Sequence, residues 1–263
     1  MEVLSALYDQ YFSVVPANTP ALLDEAYALR YQVYCVEHQF EDPARQSGQR
    51  EVDAHDPHSV HAVLIYRPSG KVVGCVRLIL PDLARHVGLP ISSLLSQADQ
   101  EHFSQFAPAT TAEISRYAVS KEFRRRAGEE LYPDVASFSD SDARRLMPHV
   151  SVGLIRAVAR LAADRGITKV CAVIAPALAR LLERFGLVFE PLGPPIEYHG
   201  LRQPCLANIE TLLAGLAETH PAHFHVVEAV YRGDLCVPPG VTPLAGNGQT
   251  ATPLTEQTRR RPA

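Results

Sequence analysis

Hydrophobic positions recur along this chain with two different periods, and the places where the period changes mark its elements. Thr19 followed by Pro20 is a helix start, with a hydroxyl at the N-cap and a proline at the first helical position. Leu22, Ala26, Leu29, Val33 and Val36 follow at spacings of four and three, which predicts a helix from about Pro20 to Glu37. A neighbouring row of Leu23, Tyr27, Arg30 and Tyr34 puts Arg30 at the edge of the buried face. There it needs a carboxylate partner, unless its stem packs and its head snorkels to water. From Glu41 to Pro57 the periodicity is lost and an extended loop is expected. Residues 61–67 and 71–80 are rich in β-formers and flank Pro68-Ser69-Gly70, the pattern of a hairpin. On its second strand Val73, Cys75, Arg77 and Ile79 share one face, so Arg77 interrupts an apolar row. Residues 81–111 read as helix and loop, with Ile91, Leu94, Leu95 and Ala98 as a short amphipathic stretch and no evident chemistry.

The strand predicted at 112–119, Ala112-Glu113-Ile114-Ser115-Arg116-Tyr117-Ala118-Val119, is unusual for its polar content. Burying an ionised carboxylate or guanidinium costs several kcal/mol unless it is paired, so such a strand either lines a site or lies at an exposed edge. Glu113, Ser115 and Tyr117 share one face of a regular strand and Arg116 takes the other. Either a bulge intervenes, or the carboxylate and the arginine serve different sides. The second is the expectation, with Arg116 in a charged network or on a substrate carboxylate. A basic, irregular insertion follows from Lys121 to Pro148. A helix from Pro148 to about Arg165 is expected to turn Ser151, Ile155, Val158, Leu161 and Ala162 inward, with Gly166 as its stop. Residues 168–175 form a continuous apolar run, the pattern of a strand covered on both faces. Then come a helix over 176–185 with Leu178, Leu181, Leu182 and Phe185 inward, strands near 187–191 and 203–208, and a helix carrying Ile209, Leu212, Leu213 and Leu216. Beyond Pro238 the Pro, Gly and Thr content rises and periodicity vanishes. One domain over 1–237 and a disordered tail over 238–263 are therefore expected.

Composition narrows the function. The chain has 263 residues, 46% of them hydrophobic, enough to bury a full core. A net charge of −4 argues against a general nucleic-acid or membrane-surface binder. No secretory leader or apolar run of membrane-spanning length is evident, so a cytoplasmic location is expected. Five scattered cysteines fit reduced thiols filling a core better than a disulfide frame or a zinc site. None has the setting of a thiol nucleophile. Glu51, Asp53 and Asp56 stand in the 41–57 loop, either as a solvated acidic surface or as partners for Arg30 and Arg77. Arg124, Arg125, Arg126, Arg144 and Arg145, with Arg156 and Arg160, are either a solvated face or a basic patch. His220, His223 and His225 read as surface histidines rather than metal ligands.

Four groups of residues carry a resemblance over about residues 20–175. They are Leu29-Arg30 with Tyr34, the triplet Glu51, Asp53 and Asp56, the run Val73-Gly74-Cys75-Val76-Arg77-Leu78, and Glu113 to Val119. In this order they resemble the autoinducer and N-acyl amino acid synthase branch of the GNAT superfamily, and within it the acyltransferases associated with PEP-CTERM/exosortase systems. The resemblance implies an α/β (α+β) GNAT-like three-layer fold, a central mixed and mostly antiparallel sheet flanked by helices. It also implies that Arg30, Arg77, Arg116, Glu51, Asp53 and Asp56 form one charged network beside a substrate cleft, with Tyr34 at its edge. The chain departs from the synthases in two ways. It has no tryptophan, so one wall of the amine pocket is built differently, and it lacks the glycine-rich loop that cradles coenzyme A pyrophosphate.

The expected reaction is attack of an amine on a fatty acyl thioester, with Glu113 as the base and Ser115 and Arg116 beside it. The donor is expected to be acyl carrier protein, or otherwise acyl-CoA, with no tightly bound cofactor and no metal. An acidic carrier protein suits docking on Arg124, Arg125, Arg126, Arg144, Arg145, Arg156 and Arg160. The acceptor is an amino acid or similar small amine. The rival readings are an acyl-homoserine-lactone synthase using S-adenosylmethionine, a CoA-dependent N-acetyltransferase, and a non-catalytic acyl-binding module.

Overall fold

A computed structural model describes residues 2–84, 87–123 and 150–231. The chain opens with helix α1 (Glu2–Tyr11) and strand β1 (Phe12–Pro16), ahead of the first element read from the sequence. Helix α2 (Pro20–Arg30) starts as expected, the Thr19 hydroxyl accepting from the Leu22 N–H. The helical run reaches Glu37, but after Arg30 it continues as a π-helix (Tyr31–Glu37). Bonding from i to i+5 widens the turn and rotates the following side chains. Val33 stays buried, whereas Val36, expected inward, is 49% exposed.

Strands β2 (Ser59–Tyr66) and β3 (Lys71–Ile79) form the hairpin, closed by Gly70 at φ +68°, a left-handed value that glycine adopts without strain. The pairing slips between Leu64 and Ile65, leaving Val73 as an extra residue on β3. Val73 therefore joins the core of Val76 and Leu78 rather than the row of Cys75 and Arg77, against the regular alternation expected. Next come helix α3 (Gln97–Phe103) and strand β4 (Thr111–Val119). Helix α4 (Val150–Ala163), strand β5 (Lys169–Ile174) and helix α5 (Pro176–Arg184) follow. Two short strands, β6 (Glu190–Pro191) and β7 (Ile196–Glu197), precede β8 (Leu201–Asn208) and helix α6 (Ile209–Thr219), whose N-cap is Asn208. Helix α7 (Pro221–Tyr231) has no counterpart in the sequence reading, because its histidines obscure the apolar face.

The strands run in the order β1-β2-β3-β4-β5-β8-β6, with β7 beside β8. All pairs are antiparallel except β4 with β5, so the sheet is mixed and mostly antiparallel. Helix α2 packs on one face of β2 and β3, and α4, with α1 and α7 beyond it, packs on the other. This is the expected three-layer arrangement. Gly153 sets how closely α4 sits: a Cβ there would lie 2.2 Å from the Tyr8 hydroxyl and 2.7 Å from Leu64.

Several residues expected inward are not core. On α4, Leu161 and Ala162 are buried, but Ser151, Ile155 and Val158 are only half-buried. On α5, Leu178 and Leu182 are half-buried and Leu181 is exposed. His223 is buried against Phe185 rather than at the surface. Cys35, Cys75, Cys171 and Cys205 are free and buried. The tail expected over 238–263, and Cys236, lie outside the described residues.

Candidate active site

Two interruptions of β4 build the site. The parallel pairing of β4 with β5 ends after three residues, at Glu113 opposite Cys171. Beyond that point the strands part, and Ile114 to Val119 face Ala172 to Ile174 across a cleft of about 920 Å³. The second interruption lies between β4 and β3. Ser115 pairs with Arg77 and Ala118 with Cys75, so Arg116 and Tyr117 together oppose Val76. Arg116 takes a φ of +49°, which turns the chain by one residue. A bulge thus intervenes, and the expectation that Glu113 and Arg116 serve different sides is corrected. Arg116 reaches the same face as Ser115.

On that face three arginines from three elements meet the acidic loop. Arg30, at the end of α2, donates from Nε to Glu51 at 2.5 Å and from Nη1 and Nη2 to Asp56 at 2.7 and 3.1 Å. Arg77 donates to both oxygens of Asp53 at 2.6 and 2.9 Å, to Asp56 at 2.7 Å and to the Ser115 hydroxyl at 2.9 Å. Arg116 donates from Nη2 to Glu51 at 2.8 Å and to Glu41 at 2.9 Å, and lies 3.0 Å from Asp53. Its guanidinium also lies over the Tyr34 ring, whose hydroxyl donates to the Tyr117 carbonyl. Arg30, Arg77 and Glu51 are each at most 1% exposed. The triplet Glu51, Asp53 and Asp56 is therefore no solvated acidic surface, although residues 42–45 of the same loop are exposed. Such forked, charge-assisted bonds are what allow these ions to be buried at all.

The electrostatics divide the carboxyls into two classes. Burial disfavours the charge on Glu51, Asp53 and Asp56, but hydrogen bonds and the fields of the arginines outweigh it, and all three are held below the usual carboxylate range. Glu113 is buried too and has no such partner. Desolvation raises its pKa to about 7, against the opposing pull of the Ile91 N–H and the more distant Arg77. The Ile91 N–H donates to Glu113 Oε2 at 2.7 Å from a 3₁₀ turn (Pro90–Leu94), so the 81–111 segment does have a part in the site. Glu113 lines the cleft with a carboxyl that can hold or release a proton near neutrality.

The cleft has two characters. Inward from Glu113 it is walled by α4, α5 and α6, with Ile155, Val158, Leu178, Leu182 and Leu213 facing it. At its mouth stand Glu41, Asp53 and His55, together with an aromatic wall of His38, Phe40, Tyr198 and His199 and a further arginine, Arg202. The β7–β8 hairpin that carries the last three has no distinguishing pattern in the sequence, and Glu41 was indistinguishable from other loop acids.

The docking residues fare differently. Arg156 is 5% exposed and paired with Asp9, so it is no part of a surface patch. It lies on the face of α4 turned to α1. Arg160 is half-buried and pairs with Asp164, just past the end of its own helix. Arg124, Arg125, Arg126, Arg144 and Arg145 lie outside the described residues. Among the described residues no group of three His, Cys, Asp or Glu is placed to hold a metal ion. No described helix is long and apolar enough to cross a membrane.

Residues 29–133 match the acetyltransferase (GNAT) domain family. No curated protein matches the chain. Among solved structures, TofI in a ternary complex with an inhibitor and MTA is 21% identical over 81% of this chain and 99% of its own, with a TM-score of 0.50. The acyl-homoserine-lactone synthase LasI is 20% identical over 78% and 96%, with a TM-score of 0.51. FeeM, an N-acyl amino acid synthase from uncultured soil microbes, is 15% identical over 78% and 93%, with a TM-score of 0.49. The fold is that of the GNAT acyltransferases.

Proposed function

We propose that this protein moves a fatty acyl group from a thioester to the amino group of a small amine. The observation that carries the reading is the position of Glu113, a buried carboxyl with a pKa near 7 at the junction of an apolar gallery and a charged mouth. The gallery suits an acyl chain and the mouth suits a charged acceptor. A primary amine is mostly protonated at neutral pH and is no nucleophile until it loses a proton. Glu113 takes that proton as nitrogen attacks the thioester carbon. Backbone N–H groups freed where β4 leaves β5 can meet the oxyanion. The C–N bond forms and the C–S bond breaks; of the two protons that the ammonium sheds on becoming an amide, one passes through Glu113 to the departing thiolate and the other is released to solvent. Arg77 and Ser115 hold the strand beside Glu113 in place.

Acyl carrier protein is the proposed donor, on the absence from the sequence of a glycine-rich pyrophosphate loop; acyl-CoA is the alternative. The association with PEP-CTERM/exosortase systems rests on the sequence resemblance. A second acceptor, S-adenosylmethionine, is suggested by the likeness of fold to LasI and to TofI, whose complex contains MTA. Incubation with long-chain acyl carrier protein or acyl-CoA and a mixture of amino acids, followed by mass spectrometry, should yield amides. Methylthioadenosine released from S-adenosylmethionine would select the lactone reading instead. Glu113→Gln should lower kcat by about 10² to 10⁴, and full activity in that variant would remove Glu113 from the role of base.

A further inference from the structure

The cleft mouth presents two opposite charges that the described residues leave unmatched. Arg77, Arg116 and Arg202 line the cleft among the described residues. Arg77 and Arg116 are committed to carboxylates. Arg202 has no carboxylate partner among the described residues: its Nη2 donates to the His199 carbonyl at 3.0 Å, and its guanidinium lies 5.6 Å from the centre of the Phe40 ring. The buried network has the reverse imbalance. Arg30, Arg77 and Arg116 meet Glu41, Glu51, Asp53 and Asp56, three positive charges against four negative. His61, beside Asp56, does not correct it, because burial and the nearby arginines hold it neutral, with a pKa of about 4.

The surplus carboxylate is most accessible at Glu41, whose side chain is 30% exposed against 0 to 23% for the others. Glu41 directly follows Phe40 in the chain, and Phe40 lies under the Arg202 guanidinium. One aromatic residue thus joins a negative pole to a positive one. His38 stacks on Phe40 at 5.1 Å and His199 lies 5.6 Å from it, so the ground around Phe40 is aromatic. An ammonium and a carboxylate carried by one small molecule match this arrangement. A simple amine would leave Arg202 unanswered, and a simple anion would leave the network's surplus negative charge unanswered.

We infer that Arg202 sets the choice among acceptors: it holds the carboxylate of a free α-amino acid whose ammonium is drawn to the Glu41–Asp53 edge of the network. This rests on the acyl-transfer reading for the fate of the amine, but the binding site itself does not require catalysis. Arg202 is then a specificity-determining residue, and it lies outside the span that matches the acetyltransferase family. A charge-assisted pair of this kind corresponds to a difference in affinity of about tenfold to a hundredfold.

The test is calorimetric titration of the full chain, without an acyl donor, using the proteinogenic amino acids, the amines that lack their carboxylates, and coenzyme A. At least one amino acid should bind, and its amine counterpart about tenfold or more weakly. Arg202→Gln should abolish that difference while leaving the amine's affinity unchanged. Glu41→Gln should weaken both, with melting temperatures showing that each variant is folded. The inference is overturned if no amino acid binds the wild-type protein, if Arg202→Gln weakens amine and amino acid equally or neither, if it weakens only coenzyme A, or if Glu41→Gln weakens neither ligand. Acyl transfer to amines without a carboxylate, indifferent to Arg202, would sink this inference and leave the acyltransferase reading standing.

Discussion

Glu113 and Glu51 are both buried and lie on the same side of one sheet, yet their protons behave oppositely because one faces guanidiniums and the other a single backbone N–H. Divergent environments of this kind are how acid–base roles are assigned within a site. The cost appears in stability. The folded pKa of Glu113 is raised from 4.5 to about 7, so its contribution is complete below the unfolded value and is lost as pH rises through about 7. At about 1.4 kcal/mol per unit, the loss is about 3 kcal/mol. Glu113→Gln keeps an acceptor for the Ile91 N–H and does not ionise. Urea unfolding should therefore show the variant gaining on the wild type by about that amount between pH 4.5 and pH 8, and a pH-independent difference would contradict the assignment. Arg30 and Arg77 were legible in the sequence because each breaks an apolar row. The Ile91 contact was not, since a backbone donor leaves no trace in residue identity.

At the scale of elements, β4 works by being irregular. A regular strand would send Arg116 to the opposite face from Ser115; the bulge brings both to the acidic loop. Holding an arginine at a φ of +49° costs about 1 to 2 kcal/mol, which its ion pairs offset. Arg116→Ala loses the pairs and keeps the strain, while Arg116→Gly loses the pairs and is free of it. The glycine variant should be the more stable by about 1 kcal/mol in denaturant titration, and an alanine variant as stable as glycine would mean that the bulge relaxes away. The strand itself was read from composition, and its boundaries hold to within a residue. Its bulge, and the one at Val73, could not be read, because a bulge is a property of the pairing between strands. The change from α to π after Arg30 was hidden for a related reason: the hydrophobic row continues through it and only Val36 leaves the buried side.

Across the whole molecule, the apolar stripes of α4, α5 and α6 were read as core, and many of those positions instead wall the cleft. Periodicity records which side of a helix is apolar and not what lies against it, so a core face and a cavity face look alike in sequence. If the gallery holds the acyl chain, filling it should shorten the chain accepted. Val158 is half-buried and lines the cleft, and Val158→Phe should shift kcat/KM towards shorter donors by roughly tenfold or more with little change in melting temperature. An unaltered chain-length profile would place the acyl group elsewhere. The excess of one carboxylate over the arginines bears on the end of the cycle as well as its start. If the acceptor is an amino acid, acylation turns its ammonium into a neutral amide, and a molecule that arrives carrying both signs would depart as a plain anion. The surplus that recruits the acceptor would then loosen its hold on the product, easing release without any movement of the sheet or its loops.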